Sequence, residues 1–407
     1  MVNPQETSNM SVIGRSEVYY DPFDREIDAN PYPIYRRLRE EAPLYYNERH
    51  DFYAVSRADD VDRILLDNAT FISGRGGILD FIRADLQMPP AMFIYTDPPV
   101  HTRYRKVLHG VFTPRRIAEL EPKIRAFCAD SLDAVIGSGR FDFMADLGNQ
   151  VPMRTIGMLL GIPESEQDSH RQDTDRALRA EPGEQLKPKD GFADGSAFAE
   201  YIDWRADHPS DDLMTDLLNA ELEEEGGTSR RLTREEVLTY TSLLAAAGAE
   251  TTGHLICWSG KVLADHPGQR RQLAQNPSLI PKAIEEILRL ESPAQQFARY
   301  VNKDSQFDGQ TVPKGSVMLF LLGSANHDDR RFPEGDRFDI HRENTKHVSF
   351  GIGAHYCLGA ALARLEGRIA LEEILKRFPE WEIDTANARM ATSPALRGWD
   401  ALPAFIS

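Results

Sequence analysis

The chain has 407 residues, 41% of them hydrophobic and 27% charged, which provides for a large core and excludes collagen-like, disulfide-knot and wholly disordered classes. Its 47 Lys and Arg against 64 Asp and Glu leave a formal charge of -17, which repels nucleic acid and argues against wholesale adsorption to a membrane. Three scattered cysteines, Cys128, Cys257 and Cys357, exclude a disulfide framework and point to a reducing compartment. Residues 1–18 are polar, lack the apolar core of a signal peptide and read as a disordered tail. The longest apolar runs fall far short of the ~20 residues a bilayer span requires, so a cytoplasmic, monomeric protein without a membrane span is expected.

In chain order, residues 30–66 read as helix, two short strands around 44–46 and 52–55, and helix again. Residues 71–99 are punctuated by Gly and Pro yet carry Ile78, Leu79, Met92 and Phe93; irregular segments this apolar often line binding sites. Helix-period patterns follow at 101–111, 114–137 and 149–160, the last stopped by Gly161 and Pro163. Residues 164–203 are polar, aperiodic and rich in breakers. A Thr-x-x-Glu capping box at Thr233 and Glu236 opens the longest helix, 233–266, whose centre at 243–252 is apolar or small on every face and therefore buried. Helices are further expected at 278–290 and 358–378, with short strands between 296 and 320. Residues 19–407 read as one domain, mainly helical with small sheets at its edge.

The stretch Phe350-Gly351-Ile352-Gly353-Ala354-His355-Tyr356-Cys357-Leu358-Gly359 carries the most information. Its cysteine precedes a helix, where unsatisfied N–H groups and the dipole favour thiolate, and its glycines clear space for a close neighbour. Residue types alone leave Cys357 open between a packing thiol and a ligand, although a zinc site at His355 and Cys357 lacks further Cys or His neighbours.

Residues 347–366, HVSFGIGAHYCLGAALARLE, resemble the haem-binding loop and following helix of the cytochromes P450 across the FGxGxHxCxG pattern. The resemblance implies that fold, with the long helix crossing a b-type haem, and makes Cys357 the axial thiolate ligand, with Phe350, Gly351 and Gly359 shaping its loop. Ala247-Gly248-Ala249-Glu250-Thr251-Thr252 resembles the oxygen-activation segment: Ala247 and Gly248 would let the helix pass close to the porphyrin, Glu250 would relay protons, and Thr251 would bond a carbonyl one turn back and open a local groove. Glu286-x-x-Arg289 and the later Arg337 resemble the Glu-Arg-Arg network that braces the cysteine loop. His101, Arg105, Arg299 and His355 match the positions that bind haem propionates.

The activity implied is O2-dependent monooxygenation of a lipophilic molecule such as a terpenoid, steroid, fatty acid or aromatic compound. By family position the pocket would include Ile78, Leu79, Met92, Phe93, Leu244, Phe297 and Leu396, with Gln295 and Gln296 as polar anchors and further contacts near Pro394. Arg103, Arg105, Lys106, Arg115 and Arg116 form a stretch without an acid, which with Arg364 and Arg368 would dock an acidic ferredoxin, since no flavin domain is present. A peroxygenase using H2O2 and a non-catalytic haem-thiolate sensor are the rival readings. Glu250 and Thr251 speak against the first, and a sensor would need no oxygen-activation residues.

Overall fold

The computed structural model describes residues 18–163, 195–343, 346–391, 393 and 396–406. The expected tail at 1–17, most of the breaker-rich stretch, 164–194, and Pro394 lie outside the described residues.

Helices dominate, and the longest, Arg234–Asp265, organises the rest. The Thr233 hydroxyl accepts from the Glu236 N–H while the Glu236 carboxylate accepts from the Thr233 N–H, closing the capping box. His266 ends the helix and Pro267 starts the next one, Pro267–Gln275. The helix comes close to its neighbours at glycines. A Cβ on Gly253 would lie 2.6 Å from the Gly148 carbonyl oxygen, so only glycine lets the helix touch the wide turn Phe143–Gly148 backbone to backbone. Leu255, Ile256, Trp258 and Leu263 of the long helix share a core with Ile284 and Ile287 of Ile280–Leu290 and with Ile369 and Ile374 of Ala360–Arg377. Cys128 and Cys257 are fully buried in that core, and burial pushes both thiols far up.

A five-stranded sheet lies to one side, in the spatial order Leu44–Asn47, Phe52–Val55, Val317–Leu321, Gln296–Val301, Phe71–Ile72. One pairing is parallel, with Met318 opposite Tyr53; the others are antiparallel, with Met318 also opposite Arg299. Val317–Leu321 is buried at every position, as befits the central strand.

The structure differs from the expected boundaries where proline or tight turns intervene. The run expected at 114–137 is two helices, Pro114–Glu119 and Glu121–Asp133, because Pro122 restarts the chain at an N-terminal position. A 3-10 turn, Pro277–Leu279, precedes Ile280–Leu290, and the last helix begins at Ala360. Among the described residues, no helix is long and apolar enough to cross a membrane.

Candidate haem-binding and oxygen-activation site

Cys357 sits in a loop tied to itself. Its N–H donates to the Phe350 carbonyl at 2.8 Å, and the Gly351 N–H donates to the Val348 carbonyl at 2.8 Å. Gly351 and Gly353 take φ of 65° and 74°, the left-handed region where a side chain is disfavoured. The thiol is open to solvent on one side. Crowding on the others pushes its pKa above the ordinary thiol value, while N–H groups of Gly359 and Ala360 and the charges of Arg105 and Arg364 pull it down. The expectation that the helix N-terminus alone depresses this pKa is therefore corrected. The donors are present but desolvation outweighs them, and a bound cation must complete the shift to thiolate.

Arg364 braces the loop from the helix that follows. It pairs with Glu285 at 2.6 and 2.9 Å, donates to the Tyr356 hydroxyl at 3.0 Å and lies 4.4 Å over the Phe350 ring. Burial raises the Glu285 pKa, but hydrogen bonds from His347 and Arg364 overcome it and bring the carboxyl down to about 2.

Two guanidiniums and two imidazoles gather beside this loop. Helix Val100–Val107 sets His101 and Arg105 one turn apart, and strand Gln296–Val301 supplies Arg299. The His101 and His355 rings lie 4.2 Å apart, and His355 Nε2 is 3.1 Å from Ser73 Oγ, a contact no motif announced. Arg105 donates to the Tyr356 carbonyl at 2.6 Å and Arg299 to the Ala298 carbonyl at 2.9 Å. His101 is buried with neither ring nitrogen hydrogen-bonded. Burial, then Arg105 and Arg299, push its pKa down to about 4; burial, then Arg299, His101 and Arg105, push His355 down to about 2. Among the described residues Arg299 has no ion-pair contact, although Asp97 lies near enough to favour its charge. Cations and an unbonded imidazole clustered in a buried place are costly alone and suit a ligand bearing carboxylates. The donor set therefore fits a haem: Cys357 would hold the iron, and His101, Arg105, Arg299 and His355 would hold the propionates.

On the long helix, Ala247 is exposed and Glu250 and Thr251 are half-buried. The Thr251 hydroxyl donates to the Ala247 carbonyl at 2.8 Å. The helix runs unbroken through this bond. A Cβ on Gly248 would fall 2.9 Å from Ile156 of helix Val151–Leu160, so its smallness serves helix packing there. Sequence reasoning missed His254, although its four-residue spacing from Glu250 on one helix face was the signal for it; its Nε2 is 3.6 Å from Glu250 Oε1.

The buried network contains a different second arginine from the one expected. Arg289 grips Glu286 at 2.8 and 2.9 Å, with side chains 0% and 1% exposed, and also donates to the carbonyls of Asn326, Gly335 and Arg337. Glu286 receives its second guanidinium from Arg342 at 3.0 Å. Arg337 contributes only its backbone to Arg289 and Arg342; its side chain is 60% exposed and pairs with Glu334 and Asp339. The turn over 333–342 points Arg337 outward and returns Arg342 inward. The signal available in the sequence was Arg342 three residues after Asp339, whose N–H also donates to Glu286.

The expected pocket residues fall into separate environments. Met92, Phe93 and Leu244 share one apolar cluster, and Phe297 packs against another that contains Phe320. Leu396 bridges to Ala294. Ile78 and Leu79 line a cavity with Phe297 and Gln296. Gln295 and Gln296 line a small recess with Tyr20, Tyr35 and Asp28; Gln296 accepts from the Tyr20 hydroxyl and Gln295 donates to the Ser292 carbonyl at 2.7 Å. Strand alternation puts the Gln296 side chain on the face opposite Phe297 and Arg299. The basic stretch is likewise partly neutralised: Lys106 faces Glu223, Arg115 Glu119, Arg116 Asp216, Arg364 Glu285, and Arg368 both Glu121 and Glu372. No cluster of three or more His, Cys, Asp or Glu among the described residues could hold a metal ion, which leaves a zinc site at His355 and Cys357 without support.

Comparison with known proteins agrees with this geometry. The profile of the family described as Cytochrome P450 matches residues 196–394. The putative cytochrome P450 123 of Mycobacterium tuberculosis is 38% identical over 96% of this chain and 98% of its own length. The vitamin D(3) 25-hydroxylase of Pseudonocardia autotrophica is 36% identical over 89% of each chain. The solved structure of CYP109E1 from Bacillus megaterium in complex with testosterone superposes with a TM-score of 0.84, at 28% identity, covering 94% of this chain and 100% of that one. The chain belongs to the cytochrome P450 family and is a monooxygenase of that class.

Proposed function

We propose that this protein is a haem b monooxygenase that inserts one atom of O2 into a lipophilic small molecule, with electrons from a separate acidic ferredoxin and its reductase. The observation that carries the reading is the meeting of the Cys357 loop with the guanidiniums of Arg105 and Arg299 and the imidazoles of His101 and His355, none of which has a carboxylate bonded to it among the described residues. When bound at Cys357, a haem would supply the reductive activation of O2.

This chain's own residues manage the protons. Thr251 spends its one hydroxyl proton on the Ala247 carbonyl, so its oxygen serves as an acceptor that holds a water or an incoming O–H in place. Glu250, half-buried on the same turn, is the group that exchanges protons with solvent. Met92, Phe93 and Leu244 supply an apolar wall that orients a lipophile and excludes water. The hydroxylase named for vitamin D(3) and the testosterone-bound relative support a polycyclic lipophile such as a steroid or terpenoid, and the relative solved with a hexadecenoic acid-ligated acyl carrier protein supports a fatty acid.

The reduced protein under carbon monoxide is expected to give the red-shifted absorption of thiolate-ligated haem, and a spectrum without that shift ends the reading. Steroids, terpenoids and fatty acids titrated into the oxidised protein then rank substrates by the spin-state change that water displacement causes.

A further inference from the structure

Glu250 has a neighbour that its place beside Thr251 does not explain. His254, 2% exposed, stands one turn along the same helix face with Nε2 3.6 Å from Glu250 Oε1. Neither ring nitrogen of His254 has a hydrogen-bond partner, and Glu250 Oε2 has none either. Gly398 closes the far side of the ring, since a Cβ there would fall 2.1 Å from His254 Nδ1. Trp258, a further turn along, pins that segment by donating from Nε1 to the Arg397 carbonyl at 3.0 Å. Arg397, the nearby cation on the segment, is committed to Glu291 and to the Asp28 carbonyl, so it does not compete for Glu250. A buried imidazole without a hydrogen-bond partner is unfavourable, and Glu250 Oε1 lies within one side-chain adjustment of it.

We infer that His254 is a positioning residue: its Nε2–H donates to Glu250 Oε1 and fixes the carboxyl rotamer from which Glu250 exchanges protons. Packing against Gly398 holds the imidazole in the orientation this requires. The inference rests on the proton-handling role proposed for Glu250 and adds the residue that aims it.

The test uses the reduced carbonmonoxy protein with 15N-labelled histidine, together with product formed per electron consumed during turnover. The His254 Nε2 resonance, assigned by its loss in His254→Gln, is expected to move in Glu250→Leu; a resonance that stays put overturns the pairing. His254→Leu is expected to lower product per electron by at least about tenfold, while His254→Gln, which keeps an N–H donor, retains most of it. The double variant with Glu250→Leu is expected to be no worse than Glu250→Leu alone. Wild-type coupling in His254→Leu, or a fully additive double variant, overturns the inference while leaving the role of Glu250 standing. Wild-type coupling in Glu250→Leu overturns that role itself, and the inference with it. If His254→Leu fails to take up haem, His254→Gln and the resonance decide.

Discussion

Thr251 and Glu366 show how one side chain's surroundings set its chemistry. With its proton committed to Ala247, Thr251 acts by accepting. Thr251→Ala is therefore expected to bind haem and substrate normally while diverting electrons from product to peroxide, by about tenfold or more, read as peroxide formed per electron. Unchanged peroxide would remove Thr251 from the mechanism. Glu366 lies on the inner face of Ala360–Arg377, 1% exposed, with Oε2 unpartnered. Burial pushes its pKa up to about 8, with Thr155 pulling weakly the other way. Its folded pKa thus lies above the usual carboxyl value of 4.5, so as pH rises the unfolded chain releases the proton first. Stability falls across the window from about 4.5 to about 8 and is level above it. Glu366→Gln removes this slope and is expected to stabilise the protein by up to about 3 kcal/mol at neutral pH, with little effect below about pH 4.5. Denaturant midpoints at the two pH values check it, and a gain that ignores pH would show that Glu366 is not buried as a neutral acid.

At the scale of elements, the cysteine loop depends on the network joining Ile280–Leu290 to the turn over 333–342. Glu286 is buried between two guanidiniums, and removing one leaves a carboxylate with too few partners in a dry place. Arg342→Ala is expected to cost about 3–5 kcal/mol and to weaken haem retention, whereas Arg337→Ala, at the exposed end of a surface pair, is expected to cost under about 1 kcal/mol. Thermal unfolding of the two variants with haem bound distinguishes them; equal losses would mean that Arg342 does not complete the network. The acid and the first arginine were legible in the sequence because they lie three apart on one helix. The second was not, because the path of an irregular turn decides which of two nearby arginines points inward. The same limit applies to Gln296, whose face was settled only by the pairing of its strand in the sheet.

Across the whole molecule, charge is distributed in pairs. Among the described residues Lys106, Arg115, Arg116, Arg364 and Arg368, but not Arg103 and Arg105, face a carboxylate, so the combined field expected to guide an acidic electron donor is weaker than the bare sequence stretch implies. Reduction by an acidic ferredoxin is still expected to slow as salt rises, because exposed pairs are loose and Arg105 has no acidic partner among the described residues; a rate indifferent to salt would rule out docking by charge. The sequence alone determined what is local in the chain: the capping box, the glycine-rich cysteine loop, the one-turn spacing of His101 and Arg105, and the acid before the alcohol. Backbone conformation and neighbouring side chains within a few residues are enough to specify those. Only the tertiary structure decided that Arg342 completes the Glu286 network, that Ser73 meets His355 and that Gly248 serves Ile156. Each of these joins residues whose meeting depends on how separate segments pack against the rest of the core, and no periodicity or spacing records that.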